Sequence, residues 1–129
     1  MTRAELTEYI SEQYGASPDA PWMDYPDNHV FRHGGSKKWF ALIMTIPRAK
    51  LKLAGGGDID VVNLKCDPLL VGSVTKQTGV FPAYHMNKTH WITVALDGSA
   101  DAETVKMLLG ASFALTAPKI KTKCEKPSP

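Results

Sequence analysis

The spacing of apolar residues along the chain follows two different periods, and each period predicts one kind of element. Leu6 and Ile10 recur at helical spacing behind Thr2-x-x-Glu5, a capping box in which each side chain satisfies a free backbone donor. Asp67-Pro68 and Asp101 are typical helix starts, because aspartate accepts the free amide protons of a first turn. Helices are therefore predicted over residues 3–14, over residues 69–77, and from Asp101 to a stop at Ala117-Pro118.

Runs rich in β-branched and aromatic residues predict five strands among these helices. Glycines in His33-Gly34-Gly35-Ser36 suit the turn between the first two strands. Residues 47–58, basic at first and glycine-rich at the end, predict a longer hairpin loop, or wing. Asn87-Lys88-Thr89 predicts a tight turn with Asn87 in the left-handed region, which makes residues 82–91 a hairpin tip. The strands are predicted at residues 30–32, 39–46, 59–65, 79–86 with a break at Pro82, and 90–96.

The resulting order, α-β-β-β-α-β-β-α, predicts a two-layer α+β fold. Successive strands joined by short turns pair antiparallel, and three helices can cover only one face of a five-stranded antiparallel sheet. We expect one domain over residues 1–118, since a chain of 129 residues is long enough for a single hydrophobic core. Residues 119–129, with four lysines and two prolines, predict a basic, mobile tail.

The composition is that of a globular protein and does not indicate a particular reaction. The apolar fraction of 43% and the charged fraction of 22% are globular values, which argues against disorder over most of the chain. We find no signal-peptide pattern at the N-terminus and no apolar run long enough to cross a bilayer. We therefore expect a cytoplasmic protein with no membrane partner and with an oligomeric state that the sequence leaves open.

The charge is unevenly distributed, although the net charge is only +2. Residues 1–28 carry six acids and one base, whereas residues 29–57 carry no acid at all. Basic side chains on loops can contact the phosphates of a nucleic acid, and exposed lysines also protect sheet edges and keep a protein soluble. The candidate nucleic-acid-binding residues are Arg32, Lys37, Lys38, Arg48, Lys50 and Lys52.

The segment from Pro82 to Trp91 concentrates polar and aromatic side chains beside a strand. It suits either a small-ligand pocket or a hairpin whose histidines and aromatics are structural. The two histidines are five residues apart without CxxC or HExxH partners, so we expect no metal, and nothing in the chain indicates a cofactor. The candidate pocket residues are Tyr84, His85, Asn87, Lys88, His90 and Trp91.

Catalysis is the weaker alternative for this chain, and we assign no catalytic residue. Cys66 precedes a predicted helix start, where the helix dipole can lower the pKa of a thiol and favour a nucleophile. A cysteine that ends a core strand is more often a small buried apolar residue. We therefore expect a binding protein rather than an enzyme.

Four motifs in order resemble the MmcQ/YjbR family over about residues 1–119. They are His29-Val30-Phe31-Arg32, Asn63-Leu64-Lys65-Cys66-Asp67-Pro68, the segment 82–91 and Leu96-Asp97-Gly98. The resemblance implies a fold similar to type III secretion chaperones and to the CyaY/frataxin group. It also implies DNA binding through a double wing, in which the basic hairpin loops would contact the phosphate backbone with little base readout. The secretion-chaperone likeness implies an alternative, a protein-interaction module.

Overall fold

The computed structural model describes residues 1–118, and the predicted tail of residues 119–129 lies outside them. Helix α1 is Arg3–Tyr14, α2 is Pro68–Val74 and α3 is Ala102–Thr116. The capping box is confirmed: the Glu5 amide donates to the Thr2 hydroxyl at 3.2 Å and the Thr2 amide to the Glu5 carboxylate at 2.8 Å. Helix α2 is shorter than predicted because the amides of Lys76 and Gln77 donate to carbonyls three residues earlier, as in a 3₁₀ turn and not in an α-helix.

Five strands form one antiparallel sheet in the order β1-β2-β3-β5-β4. The strands are β1 (His29–Arg32), β2 (Trp39–Pro47), β3 (Asp58–Lys65), β4 (Val80–Pro82) and β5 (Trp91–Ala95). With the three helices, this order confirms the predicted α+β fold. Within residues 1–118, no helix is long and apolar enough to span a bilayer.

The helices pack on one face of the sheet, which we call the helix face. Alternate strand residues such as Ile43, Val62 and Val94 point there and pack with Leu6 of α1 and Leu109 of α3, all of them fully buried. Burial of this apolar face is the main force that holds the helices on the sheet.

The opposite face, which we call the open face, carries a second apolar cluster that loops cover in place of helices. Leu42, Met44, Ile46, Ile59 and Val61 form its floor. The covering side chains come from three connections: Trp22 from residues 15–28, Leu51 and Leu53 from residues 48–57, and Tyr84 and Met86 from residues 83–90. The surface of the open face is therefore formed mainly by loops and not by helices.

Candidate functional site

Two buried polar residues fasten the β4–β5 loop, residues 83–90, to the open face. Asn63 and Thr93 are neighbours on β3 and β5, both are fully buried, and the Thr93 hydroxyl donates to the Asn63 side-chain oxygen at 2.5 Å. The Tyr84 amide donates to the Thr93 hydroxyl at 2.8 Å, and the Asn63 side-chain amide donates to the Tyr84 carbonyl at 2.9 Å. We call this arrangement the Asn63–Thr93 clamp. It satisfies polar groups that would otherwise be buried without partners.

The clamp also explains why β4 ends at Pro82 instead of continuing to residue 86 as the sequence predicted. Side chains, not the backbone of β5, take the hydrogen bonds of Tyr84, so the ladder stops and the loop crosses the face. Neither clamp residue was among the predicted site residues. A signal was present in the sequence, since Asn63 interrupts the apolar run Val61-Val62-Asn63-Leu64 and Thr93 interrupts Ile92-Thr93-Val94-Ala95.

The β2–β3 connection, residues 48–57, which we call the wing loop, folds back over the open face. It begins with a 3₁₀ turn at Arg48–Leu51, and its Leu51 and Leu53 pack on the apolar floor. Its inner side and the β4–β5 loop enclose a cavity of about 400 Å³, which we call the lysine pocket. The pocket is lined by Lys50, Leu51, Lys52, Phe81, Pro82, Ala83, Tyr84 and Lys88.

Three exposed lysines lie around this pocket, and its lining contains no acidic residue. Lys50 and Lys52 come from the wing loop, whereas Lys88 comes from the β4–β5 loop. Among residues 1–118, the ion pairs are Arg3–Asp60, Arg32–Asp19 and Lys106–Glu103, so none of them neutralises a pocket lysine. The pocket therefore combines an apolar floor with a positively charged rim.

Left-handed backbone occurs at two non-glycine residues on this face. Lys52 has φ 59° and His85 has φ 61°. Such a conformation costs an ordinary side chain about 1–2 kcal/mol, so packing must hold it in place. The prediction that Asn87 takes this conformation is wrong. Asn87 instead accepts the Thr89 amide at 2.8 Å with its side-chain oxygen, while His85 makes the reversal beside the clamp.

The six residues predicted to bind nucleic acid do not form one surface. Lys37 and Lys38 lie in the β1–β2 turn, at the edge of the sheet opposite β4 and the lysine pocket. With strands about 4.8 Å apart, the β1 and β4 edges are about 19 Å apart. Only Lys50 and Lys52 of the six line the lysine pocket.

The two arginines of that set already have partners within the fold. Arg32 lies 3.2 Å from the Asp19 carboxylate, and its guanidinium is 5.8 Å from the centre of the Trp39 ring. The Arg48 Nε donates to the Ala54 carbonyl at 3.0 Å and so closes the wing loop on itself. Their charges are less available to a ligand than those of the pocket lysines.

Four of the six residues predicted as a small-ligand pocket lie against three different cavities, and Asn87 and His90 line none of these three. Tyr84 and Lys88 line the lysine pocket, and Trp91 lines a shallow site beside Lys38 and Lys65. His85 faces a third cavity of about 460 Å³, which we call the aromatic pocket. The aromatic pocket is lined by Trp22, Tyr25, Asn28, Trp39, Leu42, Met44, His85 and Met86. His90 is not in the lining of the lysine pocket, of the aromatic pocket or of the site beside Lys38 and Lys65, so it shares none of these three cavities with His85.

Cys66 has the environment of a buried apolar residue. Burial, and then the neighbouring Asp67 carboxylate, raise the pKa of the Cys66 thiol, so the thiol stays protonated at neutral pH. Residues 1–118 contain no group of three or more His, Cys, Asp or Glu side chains placed to hold a metal ion. Cys124 lies outside the described residues.

A buried histidine that the sequence analysis did not single out joins the β1–β2 turn to the end of α3. The Nε2 atom of His33 lies 2.8 Å from the Thr116 hydroxyl, which itself donates to the Ser112 carbonyl. Burial lowers the pKa of His33, a hydrogen bond to the Phe113 carbonyl opposes that shift, and the charge of Lys38 adds to it.

Comparison with known proteins connects this fold to a family. The YjbR family profile matches residues 11–115. The uncharacterised protein YyaQ of Bacillus subtilis is 40% identical over 116 residues, covering 90% of this chain and 98% of YyaQ. A crystal structure of a protein from Pseudomonas syringae matches with a TM-score of 0.89 and 46% identity, covering 91% of this chain and 100% of that chain. A Deinococcus radiodurans crystal structure matches with a TM-score of 0.64 and 28% identity, covering 88% and 77% of the two chains. The predicted resemblance is thus confirmed, and the chain belongs to the YjbR family.

Proposed function

We propose that this protein binds nucleic acid through the lysine pocket, with the wing loop and the β4–β5 loop both in contact with the phosphate backbone. The observation that supports the proposal is the convergence of Lys50, Lys52 and Lys88, from two separate loops, on one pocket without an acidic lining residue. Lysines that contact phosphates release condensed counterions, which is the main source of sequence-independent affinity.

The net charge of residues 1–118 does not favour binding of a polyanion, so the location of the three lysines is important. Residues 1–118 contain eleven Lys and Arg against twelve Asp and Glu, a formal net charge of −1, whereas residues 119–129 contribute +3. Binding by the fold must therefore depend on local arrangement and not on net charge. The proposal accordingly replaces the predicted set of six residues by the lysine pocket.

The proposal predicts a specific change in salt dependence. We expect the full chain to bind a labelled single strand at about 50 mM salt and to lose affinity steeply towards about 200 mM. Changing Lys50, Lys52 and Lys88 together to Gln removes about three phosphate contacts. We therefore expect the slope of log affinity against log salt concentration to become shallower by about 2, and the affinity at low salt to fall at least tenfold. Fluorescence anisotropy over a salt series measures both quantities.

A variant with Lys37, Lys38 and Lys76 changed to Gln is the matched control, because it removes the same charge away from the lysine pocket. We expect this control to keep most of the salt dependence of affinity that wild type shows. The proposal fails if wild type does not bind at low salt, or if the control variant loses as much affinity as the pocket variant.

A further inference from the structure

The floor of the lysine pocket is aromatic and apolar, a feature that phosphate binding alone does not need. Phe81 and Tyr84 line the pocket together with Leu51 and Pro82, and both aromatic side chains are only partly buried. The Tyr84 ring packs against the His85 ring with centroids 4.0 Å apart, and the Asn63–Thr93 clamp fixes the Tyr84 backbone. A flat ligand would thus meet a surface that is already held in place, which reduces the entropy lost on binding.

The size and the charge of the pocket together indicate a class of ligand. A volume of about 400 Å³ falls within the range of about 300–1,000 Å³ that is usual for small-molecule sites. An aromatic floor suits a flat ring, and the lysine rim suits an anionic group attached to that ring. A nucleotide carries both groups.

We infer that the lysine pocket holds one nucleotide of a single strand, with the base against Phe81 and Tyr84 and the adjoining phosphates among Lys50, Lys52 and Lys88. This inference depends on the proposed function and names the kind of nucleic acid. In a duplex the faces of the bases are stacked on their neighbours and cannot reach an aromatic side chain, whereas a single strand can turn one base outward. The pocket therefore selects single strands over duplexes.

The test compares three labelled ligands of equal length at one salt concentration: a single strand, the same strand with abasic sites, and the corresponding duplex. We expect the full chain to bind the base-bearing strand at least about fivefold more tightly than the abasic strand or the duplex, since stacking of one base is worth about 5- to 150-fold in affinity. Equal affinity for all three ligands overturns the inference and leaves the proposed function in place. No binding to any of them overturns both.

Two variants test the role of the floor. Tyr84→Leu keeps an apolar side chain and the backbone clamp, and we expect it to lower the affinity for the base-bearing strand towards that for the abasic strand. Tyr25→Leu alters a tyrosine that is 63% exposed and lines the aromatic pocket, so we expect it to keep the preference. Loss of the preference in Tyr25→Leu but not in Tyr84→Leu would overturn the inference. Circular dichroism and thermal unfolding of each variant establish that it is folded.

Competition by a free nucleoside monophosphate shows whether the pocket binds a nucleotide within a strand or a free nucleotide. If the strand is the ligand, the monophosphate displaces it only at concentrations far above those at which the strand binds, because it supplies one phosphate in place of several. Displacement at equal concentrations would overturn the single strand as the ligand and assign the pocket to free nucleotides.

Discussion

Asn63 and Thr93 are the two residues on which the shape of the open face depends most. Replacing Thr93 by Val preserves shape but leaves the Tyr84 amide and the Asn63 side-chain oxygen without the hydroxyl partner. We expect a loss of about 1–3 kcal/mol in the free energy of unfolding, the usual cost of unsatisfied buried polar groups. Urea denaturation measures this loss.

Thr78→Val is the control for Thr93→Val, since Thr78 is exposed, and its change should lie within about 0.5 kcal/mol. Hydrogen exchange at the Tyr84 amide adds a local readout, because that amide should lose protection in Thr93→Val. A Thr93→Val protein as stable as wild type, with an unchanged Tyr84 exchange rate, would contradict the clamp.

His33 contributes a pH dependence to the stability of the fold. Its folded pKa lies below the ordinary value of 6.5, so below about that pH the unfolded chain binds more protons than the folded one. Stability should therefore fall as the pH drops from about 6.5 through the folded pKa of His33. In His33→Gln, which keeps a hydrogen-bond donor but does not titrate, this part of the acid-side loss should be absent.

Urea denaturation of both proteins at about pH 7.5 and about pH 5.5 provides the comparison for His33. The exposed or half-buried histidines His29, His85 and His90 remain in both proteins, so their contributions cancel. The same loss of stability in wild type and in His33→Gln would show that His33 does not carry the effect.

At the scale of elements, the junction between α2 and β4 depends on one glycine. Gly79 has φ 83°, and a Cβ at this position would lie 2.6 Å from the Ala100 backbone nitrogen. Gly79→Ala therefore combines backbone strain with overpacking, and we expect it to cost about 3 kcal/mol.

Gly35→Ala provides a matched control for Gly79→Ala. A Cβ at Gly35 meets open space and the backbone is not left-handed, so this variant should stay within about 1 kcal/mol of wild type. Thermal unfolding of the two variants checks the pair. Equal stability of Gly79→Ala and Gly35→Ala would mean that the junction can move to accept a side chain.

Helices and strands could be predicted where the sequence carries a regular apolar spacing or a local capping signal. The course of the loops could not be predicted in this way. The capping box, Asp67 and Asp101 placed all three helices because these signals act within one turn of the chain. The course of the wing loop and of residues 83–90 depends on contacts with a sheet face formed by distant strands, and local patterns do not report such contacts. For the same reason the sequence grouped Lys50 and Lys52 with Lys37, which lies elsewhere, and left Lys88 in a separate candidate site.

At the scale of the whole molecule, the two faces of the sheet differ in what they support. One face packs against the helices, while the other carries an apolar cluster on which the loops around the lysine pocket rest. Membership of the YjbR family fixes the fold but leaves the ligand open, because function depends on the site that the loops build. In the proposed function, this site is the lysine pocket.

Titration of the ¹⁵N-labelled full chain with a short single-stranded oligonucleotide, followed by amide chemical shifts, locates the binding site on the fold. We expect the largest shift changes at residues 50–52 and 81–88, with small changes in α1 and α3. Changes confined to the β1–β2 turn at residues 33–38, or to the helix face, would contradict binding at the lysine pocket.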